Sequence, residues 1–234
     1  MKRNKNRDKV IAALSLEPLV NEQFKSIRTS ISFASIDRHV QTLLITSSES
    51  GSGKSTISAN LSIAYAQQGK KTLLIDCDLR KPTVHRAFYV NGFVGLSSVL
   101  MDQLDVIEAC QKTKIENLSV LASGAVPPNP SDLLGSKKMK LILEHLKQEF
   151  DMIIIDTPPI TLFSDSMLLA PRTDGVILVT RYGRSKKAEI KLALEKIALT
   201  QVPVTGTILN GVVKKRINSN YDNYHNVRKE EKDG

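Results

Sequence analysis

The stretch SSESGSGKST at 47–56 sets two glycines, a lysine and several hydroxyls between an aliphatic run, TLLIT, and an amphipathic one, STISANLSIAYAQQ. These residue types at this spacing suit a polyphosphate. Gly51 and Gly53 let the backbone curl so that successive N–H groups point inward at phosphate oxygens. A helix starting at the lysine adds its N-terminal dipole for the same anion. Lys54 can reach the outer phosphates and the Ser55 hydroxyl can ligate Mg²⁺. Ser50, Gly51, Ser52, Gly53, Lys54, Ser55 and Thr56 are therefore the expected nucleotide-binding residues, with ATP as substrate and Mg²⁺ as cofactor. The pattern departs from the common form at one place: Ser48 stands where a first glycine is usual.

Three carboxylates follow aliphatic runs. LLIDCDLRKP carries Asp76 and Asp78, and DMIIIDTPP carries Asp156. In open α/β sheets ligands bind beyond the carboxyl ends of strands, so all three are expected to converge on the phosphate loop. Phosphoryl transfer needs charge neutralisation and a group that orients or deprotonates the nucleophile. An aspartate beyond those holding the metal is what attack by a hydroxyl requires. The bland alternative is that strand-end aspartates cap the helices that follow them. Cys77, between two of them, reads as a small buried hydrophobe.

These groups need a scaffold, and the rhythm of the chain supplies one. Short apolar runs at 42–46, 72–75, 118–121, 152–155, 176–179 and 204–209 alternate with helical patterns near 54–68, 95–111, 137–149 and 187–199. That alternation predicts an α/β fold of the P-loop NTPase type, a mostly parallel sheet flanked by helices on both faces. A further helix is expected after Asn21, with Phe24, Ile27 and Ile31 on one apolar stripe and Glu22, Lys25 and Arg28 on another arc. The expected organisation is a basic segment over 1–20, one catalytic domain over 21–213 and a flexible tail over 214–234.

Composition narrows the rest. Cys77 and Cys110 form no disulfide framework or metal pair, and His39, His85, His145 and His225 lack ligand spacing. No apolar run approaches the roughly 20 residues of a membrane span, so a cytoplasmic protein is expected. The formal charge of +9 gathers partly at the ends, in Lys2, Arg3, Lys5, Arg7 and Lys9 and in Lys214, Lys215 and Arg216. Such ends attract anionic lipid, nucleic acid or an acidic partner, or simply aid solubility. The basic residues are not interleaved with aromatics, which argues against nucleic acid.

From about 22 to 210 the sequence resembles the bacterial tyrosine kinases (BY-kinases) of Gram-positive capsule and exopolysaccharide operons. The resemblance rests on the phosphate loop, LLIDCDLRKP, IIIDTPP and the segment SGAVPPNPSDLL at 123–134. It implies Lys54 and Asp76 as catalytic residues, Asp76 being the base for the tyrosine hydroxyl. Ser55, Asp78 and Asp156 would surround Mg²⁺, and Asn210 would touch the adenine. It also implies acceptor tyrosines in the tail, here reduced to Tyr221 and Tyr224, and a subunit contact through Glu22, Lys25 and Arg28. Lys25 stands where the family has arginine, so that contact loses a planar fork. Ser50 and Ser52 replace the proline and glutamate common in relatives.

The implied partners are a membrane-anchored chain-length regulator that activates the kinase, further copies in a homo-oligomer or ring, tyrosine-bearing protein substrates and a cognate tyrosine phosphatase. The implied location is the inner face of the cell membrane, reached through the partner. Two other functions compete. A partitioning ATPase switch of the ParA/MinD type would hydrolyse ATP and transfer nothing, but its signature lysine is Glu49 here. A scaffold that has lost catalysis would not need Lys54, Asp76, Asp78 and Asp156 all intact.

Overall fold

The aliphatic runs form strands, and the central ones are buried on both faces. In the computed structural model, which describes residues 18–212, they assemble into one sheet of order β3-β4-β2-β5-β1-β6-β7. The strands are β1 (Thr42–Ser47), β2 (Thr72–Asp76), β3 (Gln111–Lys112), β4 (Leu118–Leu121), β5 (Met152–Asp156), β6 (Gly175–Arg181) and β7 (Val204–Asn210). Every pairing is parallel except that of β3 with β4. The expected α/β class, with its mostly parallel sheet, is borne out.

Because side chains alternate along a strand, each central strand feeds two cores. Leu44, Leu73, Ile75, Ile153, Ile155, Val176 and Leu178 face one side. Leu43, Ile45, Leu74, Ile154, Ile177 and Val179 face the other. The first core is covered by α4 (Leu96–Leu100), α5 (Val106–Ala109), α6 (Pro130–Gly135), α7 (Lys137–Glu149), α8 (Asp165–Leu169) and α9 (Lys187–Ala198). The second is covered by α1 (Pro18–Ala34), α2 (Lys54–Ala66) and α3 (Val84–Phe88). Along α7, Met139, Ile142, Leu143 and Leu146 are buried at helical spacing. Each contributes about 1.5–3 kcal/mol of burial.

Three boundaries differ from the sequence reading. Helix α1 begins at Pro18 and not after Asn21, which suits proline's fixed φ at a first helical turn. Its stripe is as expected, with Phe24 and Ile31 buried and Ile27 packed against the same core. The single helix expected over 95–111 is two short ones. Asp102 takes a left-handed φ of 60°, and the Asp105 carboxylate accepts from the N–H groups of Ile107 and Glu108 to start a new helix. The end of that stretch instead enters the sheet as β3. Residues 1–17 of the basic segment expected over 1–20, residue 213 and the whole tail over 214–234 with Tyr221 and Tyr224 lie outside the described residues. Among the described residues, no helix is long and apolar enough to cross a membrane.

Candidate active site at the carboxyl ends of β1, β2 and β5

The phosphate loop is fixed by its neighbours in the sheet. It leaves β1, whose residues are all buried, and enters α2 at Lys54. Gly51 and Gly53 have φ of 79° and 96°, the left-handed region that a Cβ penalises. At Gly53 a Cβ would also lie 2.1 Å from the Asn210 amide nitrogen. Among the described residues no side chain caps α2, and uncapped N–H groups at a helix start are the kind that suit an anion. Within the loop, the buried Ser52 hydroxyl donates to the Glu49 carbonyl at 3.3 Å. Ser50 and Thr56 are exposed.

Parallel pairing of β2 with β5 sets Asp76 beside Asp156, and pairing of β5 with β1 sets Asp156 beside Ile45, just before the loop. Both carboxylates are fully buried. Asp76 Oδ2 accepts from the N–H groups of Thr83 (3.1 Å) and Val84 (3.0 Å), and Oδ1 accepts from Asp78 N–H (3.2 Å). The capping alternative is thus partly realised, since Thr83 and Val84 open α3. Asp156 Oδ1 accepts from the Ser58 hydroxyl at 2.9 Å, while Oδ2 has no partner among the described residues. A buried carboxylate oxygen left without a donor is costly unless a cation or ligand completes it.

Electrostatics agree with the geometry. Burial, and then the Asp156 charge, push Asp76 up to about 8, against the pull of the Val84 and Thr83 N–H groups. Burial also raises Asp156, opposed by the Lys54 ammonium and by the Ser55 and Ser58 hydroxyls. Asp78 is raised by burial and lowered by the Lys81 N–H and by Lys54. Lys54, only 7% exposed, is the cation whose charge reaches both Asp78 and Asp156. Among the described residues, no three histidine, cysteine or acidic side chains converge tightly enough to hold a metal by themselves.

Several site residues carried no local signal in the sequence. Arg80, two residues after Asp78, makes a two-pronged pair with Asp165 (2.8 and 3.2 Å) and donates to Ser131 at 2.8 Å. Its guanidinium lies 4.4 Å from the Phe163 ring centroid. Ser131 belongs to the SGAVPPNPSDLL segment and donates to Asp165 at 2.6 Å, so that segment is tied to the carboxylate loop. Asp165 is fully buried. Arg80→Ala is expected to destabilise the fold by about 2–4 kcal/mol, because it strands a buried charge. Adding Asp165→Asn should recover part of that loss in urea melts; no recovery would show that the Phe163 stacking dominates.

The remaining expected residues have other neighbours. Asn210, at the end of β7, donates its side-chain amide to the Ser52 carbonyl at 2.9 Å, so it braces the loop. Glu22 and Lys25 pair with each other at 2.7 Å. Arg28 donates to the Ala64 carbonyl of α2 at 2.6 Å. Within one chain all three already have partners.

The family described as AAA domain matches residues 40–182. The chain is 46% identical to tyrosine-protein kinase YwqD of Bacillus subtilis over 202 residues, covering 86% of this chain and 85% of that one. It is 38% identical to the putative tyrosine-protein kinase CapB of Staphylococcus aureus, covering 88% and 90%. Among solved structures, the chimerical protein CapA2B2 superposes with a TM-score of 0.83 at 39% identity, covering 91% and 92%. The septum site-determining protein MinD of Pyrococcus horikoshii, complexed with Mg-ADP, is more distant, at a TM-score of 0.63 and 28% identity over 72% and 69%. The switch-type alternative is accordingly not favoured, and Glu49, where that type carries its lysine, is occupied here by a bond from Ser185. With identity this high across nearly the whole of both chains, the protein belongs to the bacterial tyrosine kinases of the capsule and exopolysaccharide type.

Proposed function

We propose that this chain transfers the γ-phosphoryl group of ATP to tyrosine hydroxyls, with Tyr221 and Tyr224 of its own tail among the acceptors, and so regulates capsule or exopolysaccharide synthesis. The observation that carries this reading is the juxtaposition of Asp76 and Asp156 on neighbouring strands beside Lys54. The site holds one carboxylate more than a metal needs. Lys54 and the loop amides of 50–56 bind the phosphates. Ser55, Asp78 and Asp156 would hold Mg²⁺, and the unpartnered Asp156 oxygen fits that part; the bound ion screens the phosphate charges. Asp76, held by the α3 N–H groups, accepts the proton of the attacking tyrosine hydroxyl. Asn210 borders the same loop and is the candidate contact for the base.

The partners follow the same reading. A membrane-anchored chain-length regulator activates the kinase and brings it to the inner face of the membrane. Copies assemble through Glu22, Lys25 and Arg28, exchanging their intrachain partners for a neighbour's, and a cognate phosphatase removes the label. Incubating the full chain with γ-labelled ATP and Mg²⁺ should yield phosphotyrosine, and Tyr221→Phe with Tyr224→Phe should remove most of it. Release of free phosphate without protein label would overturn the kinase reading. Undiminished label in the double variant would move the acceptors elsewhere.

A further inference from the structure

Position 49 carries a negative charge at the rim of a site built for anions, and the side chain is not idle. Ser185 donates its hydroxyl to Glu49 Oε1 at 2.6 Å, and the same hydroxyl accepts from Arg181 N–H at 2.8 Å. Ser185 closes a tight turn at the end of β6, in which the N–H groups of Arg184 and Ser185 both donate to the Arg181 carbonyl (3.2 and 3.0 Å). Tyr182 N–H donates to the Asn210 carbonyl at 2.8 Å, tying the turn to β7. Arg181 also reaches the Gly51 carbonyl at 3.4 Å. The turn over 181–185 is therefore clamped to the phosphate loop at Glu49 and Gly51.

The clamp puts a further cation on the loop, besides Lys54 and Arg181. A Cβ built on Gly51 would lie 3.2 Å from Arg184 Nη1 and 3.6 Å from its other terminal nitrogen. The Arg184 guanidinium thus rests against the glycine whose left-handed backbone shapes the phosphate cradle. Arg184 is exposed, and among the described residues its guanidinium makes no hydrogen bond or ion pair. A planar five-donor cation held beside a ring of N–H groups, with no carboxylate of its own, is suited to phosphate oxygens.

We propose that Arg184 is a nucleotide-binding cation supplied in cis. In this scheme Glu49 acts indirectly, as the anchor that holds the 181–185 turn over the loop. This rests on the reading of the loop as an ATP site and names a further residue for the same ligand. The guanidinium partly neutralises the polyphosphate on the side of the loop away from Lys54's carboxylate partners.

Calorimetric titration of the full chain with Mg²⁺–ATP tests it. Arg184→Ala is expected to weaken binding about 10-fold or more, consistent with loss of one charge-assisted contact. Arg184→Lys should regain part of that loss, and Glu49→Gln should give a smaller one that is not additive with Arg184→Ala. The wild-type affinity should also fall more steeply with added salt than that of Arg184→Ala. An Arg184→Ala affinity within twofold of wild type, while Lys54→Met no longer binds, overturns the proposal and leaves the ATP site standing. Equal weakening by alanine and lysine, with a lowered melting temperature in both, also overturns it, since the side chain would then only support the turn. A wild-type chain that binds no Mg²⁺–ATP sinks the ATP-site reading and this proposal with it.

Discussion

Asp76→Asn is expected to raise the melting temperature of the nucleotide-free protein by about 3–9 °C while cutting phosphotyrosine formation at least about 100-fold. The two effects share one cause. Asp76 is fully buried next to Asp156, and burial plus that neighbour raise it to about 8. A folded-state value above the ordinary carboxylate value means the stability it contributes is fully present below about 4. That stability declines as pH rises and is lost once pH passes about 8. Asparagine keeps an oxygen to accept from Thr83 and Val84 but removes the ionisable proton. The gain is about 1–3 kcal/mol near neutral pH, because asparagine needs no proton uptake on folding. Thermal melts from pH 5 to 9 check it: wild type should lose stability with pH and the variant should lose less. Equal slopes would mean that Asp76 is not the group under strain, and retained phosphotyrosine would remove it from the role of base.

Lys54→Met should raise the dissociation constant for Mg²⁺–ATP about 100-fold or more. Lys54 is buried at the first position of α2, and its charge offsets both Asp78 and Asp156. Its loss removes an attractive charge and leaves the surrounding carboxylates facing the phosphates without compensation. Methionine is unbranched and close in size to the lysine stem, so the fold should survive, and calorimetry separates lost binding from lost structure. Binding within about threefold of wild type would show that the loop amides alone carry the affinity.

Much of the architecture was legible because parallel strands buried on both faces write themselves as aliphatic runs. The carboxylates Asp76 and Asp156 were legible for a related reason, since an acid ending such a run must sit where the strand leaves the sheet, at its carboxyl end. What escaped is non-local. Arg80 meets Asp165 across 85 residues and Glu49 meets Ser185 across 136, and no periodicity encodes those pairings. The break in the 95–111 stretch was hidden because its apolar spacing suits a helix, while Asp102 and Asp105 impose a turn and a new start. Asp76 also performs the bland role foreseen for it: its N–H bonds to α3 both cap that helix and hold the carboxylate in place.

The strand order has a consequence for synthesis. β5 lies between β1 and β2, although it emerges from the ribosome some 75 residues after β2 ends. Until it arrives, neither earlier strand has its central neighbour, and the ATP loop lacks the wall that carries Asp156. A nascent chain that ends before β5 therefore cannot be rescued by nucleotide. The facing edges of β1 and β2 stay open until β5 fills the middle of the sheet, with only β6 and β7 still to follow, and open aliphatic edges of that kind are prone to aggregate.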